Sequence, residues 1–527
     1  MIRTNIKSLY LGLLCITIAS VNVSCDEWLD KLPDNRMELK TPSDITSLLV
    51  SAYPETHPAY LLEMYSDNTD DCLNSTWTEA DRFQRQAYYW NDITETFDEE
   101  TPQELWNTHY KAIAAANAAI ETIDEMDNSD ELSPQLGEAL LCRAFAMFQL
   151  STVFCNAYDP TTASSELGLP YPIHTESKVG ETYSRGTLKD LYDQIDTDIQ
   201  RALPLVGSNY SKPKFHFTPD AAKAFASRFY LYKGDFDKCI SYATAVLGDN
   251  PEAKARNWDY FNSLNNNSQI RPEAYVSSDE KCNLLLLSVY TQWGAICGPY
   301  MLGEKYAHSY RIAWDEDIES TGVWGVSGEA FKTLVFTNPA TANLLHRKIP
   351  YEAEVSDVQS GVGFPHTEFA VFTTELTLLE RAEAYALKGD LQNAVNDFNT
   401  MLKIWMRTPR TFTLQQIANY YNGIAYYTPT EATVKKKFDK PVYQIDTDGS
   451  DQEALLQGIM HLRRIFTVHE GFRMQDVKRY GIVIYRRQTN VNNVITAVTD
   501  TMEANDPRRA IQLPQDVISS GLEPNKR

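Results

Sequence analysis

Cysteine is sparse in this chain and carries no pairing pattern: there are eight in 527 residues, with no Cys-x-x-Cys pair. That spacing removes the usual finger and ribbon frames for zinc. Positive charge is also scarce, with 48 Lys and Arg against 71 Asp and Glu and a net charge of −23. Such acidity argues against nucleic acid and anionic lipid surfaces as partners. Beyond the first residues there is no apolar run of the ~20 residues that a membrane-spanning helix needs.

Catalytic patterns are missing as well. His469-Glu470 lacks the second His of a zinc-protease helix, and Gly325-Val326-Ser327-Gly328 is followed by Glu329, which leaves a nucleophile elbow incomplete. Gly361-Val362-Gly363 has no third Gly for a dinucleotide loop. In Asp446-Thr447-Asp448-Gly449-Ser450-Asp451-Gln452-Glu453 the Gly falls at the fourth position, where a calcium-binding loop requires it at the sixth. That stretch, and the cluster Asp67, Asp70 and Asp71, read as solvated acidic turns. With 71 acidic residues, no carboxylate pair for glycoside hydrolysis is singled out. The sequence therefore implies no catalytic residue, no metal site and no cofactor.

What is present begins at the N-terminus. Arg3 and Lys7 precede the apolar run Leu9–Ala19, and Val21-Asn22-Val23-Ser24-Cys25 follows. A charged start, a short apolar stretch and a Cys after a small residue make residues 1–24 a lipoprotein signal peptide, with Cys25 as the acylated residue. Its removal takes away Arg3 and Lys7 and no acidic residue, so the net charge moves from −23 to −25. Of the six other cysteines, Cys142, Cys155 and Cys239 sit among helical apolar residues as buried thiols. Cys282 and Cys297 are candidates for a disulfide in an oxidising compartment.

Residues 25–527 read as one domain in four stretches: a helical half to 250, a loop-rich region 251–370, a second helical half 371–480 and a tail 481–527. Thr101-Pro102-Gln103-Glu104 opens a helix whose stripe is Ile113, Ala116, Ile120 and Ile123. A second follows Ser133-Pro134, through Leu140, Ala144, Met147, Leu150 and Phe154. A third starts at Thr187 and ends near Pro204.

The clearest signal is a repeat. Lys233-Gly234-Asp235 recurs 155 residues later as Lys388-Gly389-Asp390. Phe236, Ile240, Ala243 and Leu247 are matched there by Leu391, Val395, Phe398 and Leu402, and Cys239 by Ala394. Helix, Gly-Asp turn and helix with small residues at the crossing is the tetratricopeptide-type hairpin. Such hairpins stack to bury their stripes, so the fold class is mainly α, a solenoid of about four helix pairs with an irregular part packed against it.

These residues also resemble a known family. Cys25-Asp26-Glu27-Trp28-Leu29-Asp30-Lys31-Leu32-Pro33 is similar to the mature start of the SusD/RagB outer-membrane nutrient-binding lipoproteins. Trp106, Tyr110, Ile113 and Asn117 are similar to the family's first helix, Gly137 to Leu150 to its second, and Leu379 to Asp390 to a later hairpin. His469-Glu470-Gly471-Phe472-Arg473 through Asp476, Lys478, Arg479, Tyr480 and Gly481 resembles its Glu-Gly-x-Arg…Asp-Leu-Lys-Arg-Trp-Gly signature, with Tyr480 where Trp is usual. Asp506-Pro507-Arg508-Arg509 and Leu513-Pro514-Gln515-Asp516 resemble its last turn. The resemblance implies an oligosaccharide or, in some members, a peptide as ligand. It also implies a TonB-dependent barrel in the outer membrane as partner and lipid anchoring that faces the cell exterior.

Sugar recognition calls for flat apolar rings under the C–H face of a pyranose and for amides or carboxylates at its hydroxyl rim. Aromatic residues in loops are the candidates: Trp77, Trp90 with Asn91, Trp293, Tyr300 and Trp324. Trp106, at helical spacing with Tyr110, belongs to the core. A peptide ligand on the same frame and a secreted glycosidase are the alternative readings.

Overall fold

In the computed structural model the described residues are 41–72, 82–96, 99–126, 129–176, 183–265, 269–297, 305–332, 335–337, 344–357, 362–439, 443, 445–490 and 494–527. The signal peptide, Cys25, Trp28, Trp77 and Tyr300 lie outside them. Residues 45–527 form one compact unit.

In chain order the main elements begin with α1 (Ala59–Tyr65), β1 (Asp70–Asp71) and α2 (Arg82–Tyr88). The first helical half continues with α3 (Pro102–Glu125), α4 (Ser133–Phe154), α5 (Leu188–Ala202), α6 (Pro219–Lys233) and α7 (Phe236–Leu247). The middle holds β2 (Asn283–Tyr290), β3 (Tyr306–Ala307), α8 (Tyr310–Asp315), β4 (Glu352–Asp357) and β5 (Val362–Thr373). Then come α9 (Thr374–Lys388), α10 (Leu391–Trp405), α11 (Leu414–Asn422), α12 (Asp451–Phe466), α13 (Phe472–Tyr480), β6 (Ile484–Thr489) and β7 (Ile495–Met502).

Four helix pairs carry the architecture: α3/α4, α6/α7, α9/α10 and α11/α12, with α5 packed on α4. The expected repeat is present residue for residue. Thr218 and Thr373 cap α6 and α9, their side chains accepting from Ala221 N and Leu376 N. Gly234 and Gly389 end those helices at φ +84° and +86°, the left-handed region that Gly enters without a Cβ penalty. Asp235 and Asp390 then cap α7 and α10 by accepting from Lys238 N and Asn393 N. The crossing residues Cys239 and Ala394 are fully buried.

Pairs are joined by buried charges as well as by apolar stripes. Arg228 of α6 donates Nε to Glu380 Oε1 of α9 at 2.7 Å. α4 shows one stripe in sequence yet is buried on every side from Gly137 to Phe154. Its two charged residues are paired: Glu138 accepts from Tyr53 Oη at 2.7 Å, and Arg143 grips both carboxylate oxygens of Asp198 at 2.7 and 2.8 Å. Breaking such a pair strands a charge in the core and costs ~3–5 kcal/mol.

The Glu-Gly signature is structural. Gly471 has φ +80°, and a Cβ there would lie 2.6 Å from Ala59 Cα of α1. Its N–H donates to Glu63 Oε1 at 2.9 Å. Arg473 holds Asp67 at 2.6 and 2.8 Å, Asp476 accepts from Arg463 and Arg479, and Tyr480 donates its hydroxyl to Glu383 at 2.8 Å.

Region 251–370, expected to be loop-rich, also holds regular structure. It contains a three-stranded antiparallel sheet in the order β2-β5-β4. The run Leu284 to Leu287 is buried on both faces, so it shows no alternation that would mark a strand. Two further expectations are corrected. Cys282 and Cys297 are separate, buried free thiols and form no disulfide. Asp67, Asp70 and Asp71 form no solvated turn, because each pairs with a cation: Arg473, Arg311 and Lys305 respectively. The turn around Gly449 ends in Ser450, which caps α12 by accepting from Glu453 N at 3.1 Å. Among the described residues no helix is long and apolar enough to cross a membrane.

Candidate functional site

Three of the loop tryptophans picked from sequence are packing anchors. Trp90, at φ +54°, is 2% exposed; it donates Nε1 to Tyr65 O at 2.9 Å, and the guanidinium groups of Arg486 and Arg508 lie 4.3 and 5.1 Å from its ring centroid. Trp293 is 3% exposed, stacks on Tyr60 with centroids 4.7 Å apart and donates to His469 O at 2.7 Å. Trp324 is 2% exposed, with Nε1 on Ser327 Oγ at 3.0 Å and its ring against Phe331 and His461. In each case the polar edge is satisfied internally and the faces are covered, as a buried indole requires. Asn91, beside Trp90, is exposed. Trp106 packs on Tyr110 and Phe154, as expected for the core.

Among the described residues the exposed aromatic rings include Tyr183, Tyr260 and Phe364, and two more, Tyr310 and Trp314, stand together on α8. Trp314 is 42% and Tyr310 38% exposed, one helical turn apart, with ring centroids 5.6 Å apart at 33°. Sequence reasoning did not single them out, because region 251–370 shows little helical period and its composition does not mark which rings stay open. The usable signal was Ser309, which caps α8 by accepting from Ile312 N at 3.1 Å, followed by two rings on one side.

A dense charge network holds α8 in place. Ser309 Oγ donates to Asp70 Oδ2 at 2.6 Å, and Arg311 grips both oxygens of Asp70 at 3.0 and 2.9 Å. Arg311 also donates Nη1 to Glu316 Oε1 at 2.5 Å. Glu316 further accepts from Lys436, from Arg487 at 3.3 Å and from Arg464 at 3.4 Å. Burial alone would raise the Glu316 carboxyl, but these cations hold it well below the usual carboxylate range. The neighbouring Asp315 carboxyl is raised by its partial burial.

β1 and β3 pair beside the start of α8. Asp70 pairs with Ala307 and Asp71 with Tyr306, and Cys72 N donates to Lys305 O at 2.6 Å. Residues 73–81, with Trp77, leave the described chain at Cys72; residues 298–304, with Tyr300, rejoin it at Lys305. The bases of both segments thus meet two residues from the strand that leads into α8. Tyr88 and Tyr89, at the end of α2, pack on Tyr306, and Tyr89 Oη donates to Asp71 Oδ2 at 3.0 Å.

Two cavities fit a sugar poorly, and a third, of about 250 Å³, is lined by Trp324, Glu329, Arg407 and Arg410. A cavity of about 40 Å³ lined by Arg228, Tyr275, Lys348 and Glu470 has room for little more than water. A larger one, about 430 Å³, is lined by Asn156, Glu166, Lys478, Arg509 and Asn525 and has no aromatic ring in its wall.

The fold defines a class: stacked helical hairpins carrying a small antiparallel sheet and an exposed aromatic corner. Residues 27–231 match the sequence profile of a SusD-like family described as starch-binding and associating with the outer membrane. No curated protein matches the chain. Among solved structures, a SusD superfamily protein from Bacteroides thetaiotaomicron is similar at 20% identity and TM-score 0.60, over 93% of this chain and 100% of that one. A SusD-like carbohydrate-binding protein from Bacteroides vulgatus is similar at 16% identity and TM-score 0.55, over 91% and 94%. A SusD superfamily protein from Parabacteroides distasonis is similar at 14% identity and TM-score 0.57, over 93% and 100%. The protein is SusD-like in its fold and in the sequence pattern of its N-terminal part.

Proposed function

We propose that this protein binds an oligosaccharide or polysaccharide outside the cell and passes it to a TonB-dependent outer-membrane transporter, held to the membrane by a lipid on Cys25. The observation that carries the reading is the Tyr310–Trp314 pair, open to solvent and fixed from below by the Arg311, Asp70 and Glu316 network. Two rings about one sugar unit apart offer stacking faces for successive pyranoses, each aromatic contact contributing roughly 0.5–1.5 kcal/mol beyond burial. Trp77 and Tyr300, chosen from sequence alone, stay in this reading as ligand contacts to be tested by substitution. Asn91 supplies an amide for hydroxyls.

The family description and the carbohydrate-binding relative support a glycan ligand over a peptide. No bond is broken in this role: the protein captures and releases. Calorimetry of the purified protein across a panel of polysaccharides and oligopeptides tests it. A saturable heat with at least one glycan, and none with peptides, is the expected outcome. Heat only with peptides, or release of new reducing ends from a bound glycan, would overturn it.

A further inference from the structure

Away from the aromatic corner, the outward face of the sheet gathers a second set of side chains. His366 of β5 stands directly across from Glu352 of β4, and Glu368 lies two residues on, on the same face of the strand. One ligand-capable atom from each of Glu352, His366 and Glu368 lies within 4.8 Å of the others. We propose that these three residues bind a divalent first-row transition cation, with Zn²⁺ as its type.

The donor set is the first argument. One imidazole and two carboxylates suit Zn²⁺ and its neighbours better than Mg²⁺, which prefers oxygen alone. Bonds of ~2.0–2.2 Å at a tetrahedral angle need ligand atoms about 3.3 Å apart, a contraction that rotation of two Glu side chains supplies. Orientation is the second. Ser288, cross-strand from Glu368 on β2, has its Oγ 2.7 Å from His366 Nε2. Tyr290 sets its ring edge-on to the same imidazole at 5.7 Å and donates its hydroxyl to Glu354 at 2.8 Å. A ligating His is commonly held in this way by an outer hydrogen bond.

Charge balance is the third argument. Among the described residues, neither Glu352 nor Glu368 forms an ion pair with Lys or Arg, although both are partly buried. A divalent cation supplies the missing positive charge and ties the edge strand β4 to the centre of the sheet. Three protein ligands leave a coordination position for water or a ligand oxygen. The sequence carries no motif for the site, because its residues meet across strands and 14 positions separate Glu352 from His366.

The test is a Zn²⁺ titration of the chelator-treated protein by calorimetry, with Co²⁺ absorption as a second readout. The wild type should take up one equivalent. H366N and E368Q should each weaken that binding at least tenfold and abolish the tetrahedral Co²⁺ bands, while E431Q, at an exposed carboxylate outside the sheet, stays within twofold of wild type. Metal-free melting temperatures establish that the variants fold, and E352Q replaces any that does not. Uptake of no Zn²⁺ by the wild type, or an unchanged equivalent in H366N and E368Q, would overturn the site.

Discussion

Trp293 and Trp314 show how the same indole does opposite work in different surroundings. Trp293 lies flat on Tyr60, its N–H spent on a backbone carbonyl. Trp314 keeps almost half its surface in water. Trp293→Ala should therefore lower stability by ~3–5 kcal/mol through the cavity it leaves, read as a drop in urea midpoint. A loss of less than 1 kcal/mol would show that the ring is not an anchor. The sequence marks both residues as aromatics among irregular neighbours and says nothing of which face is covered. That depends on Tyr60 and His469, which lie far from Trp293 along the chain. Local irregularity selects loops, and loops packed on a helical frame bury their largest rings first.

Helical hairpins were readable in detail because their determinants are local. Thr218, Gly234 and Asp235 each act within a few positions, and the same letters recur at Thr373, Gly389 and Asp390. The sheet was not readable, since Leu284 to Leu287 owe their strand to pairing with Phe369, Ala370 and Phe372. Two glycines separate local conformation from close packing. Gly389 has open space around a would-be Cβ but φ +86°, so Gly389→Ala should cost about 1 kcal/mol from backbone strain alone. At Gly294 a Cβ would sit 2.1 Å from Pro350 O, so Gly294→Ala should destabilise by clearly more. Thermal melts of the two variants check the order, and a larger loss at Gly389 would contradict it.

For the whole molecule, buried titratable groups set the response to acid. Burial pushes His109 and His308 down to about 4 and His57 and His461 to about 3, and holds His346 and His469 well below their usual value. The unfolded chain takes up these protons near 6.5, so the stability linked to neutral His is lost as pH falls from 6.5 toward 4. Glu63 and Asp317, raised by burial to about 7, act in the other direction: their contribution is present below about 4 and fades as pH rises through 7. The imidazole shifts are the larger set, so the urea midpoint should be lower at pH 5 than at pH 7; a higher midpoint at pH 5 would reverse the balance. The frame that these groups stabilise has one task in this account, to hold two rings of α8 out to a glycan. Affinity electrophoresis of the Tyr310→Ala/Trp314→Ala variant in a polysaccharide that retards the wild type tests that claim most directly. The account predicts that retardation is lost while the melting temperature stays unchanged; full retardation by the folded variant would contradict it.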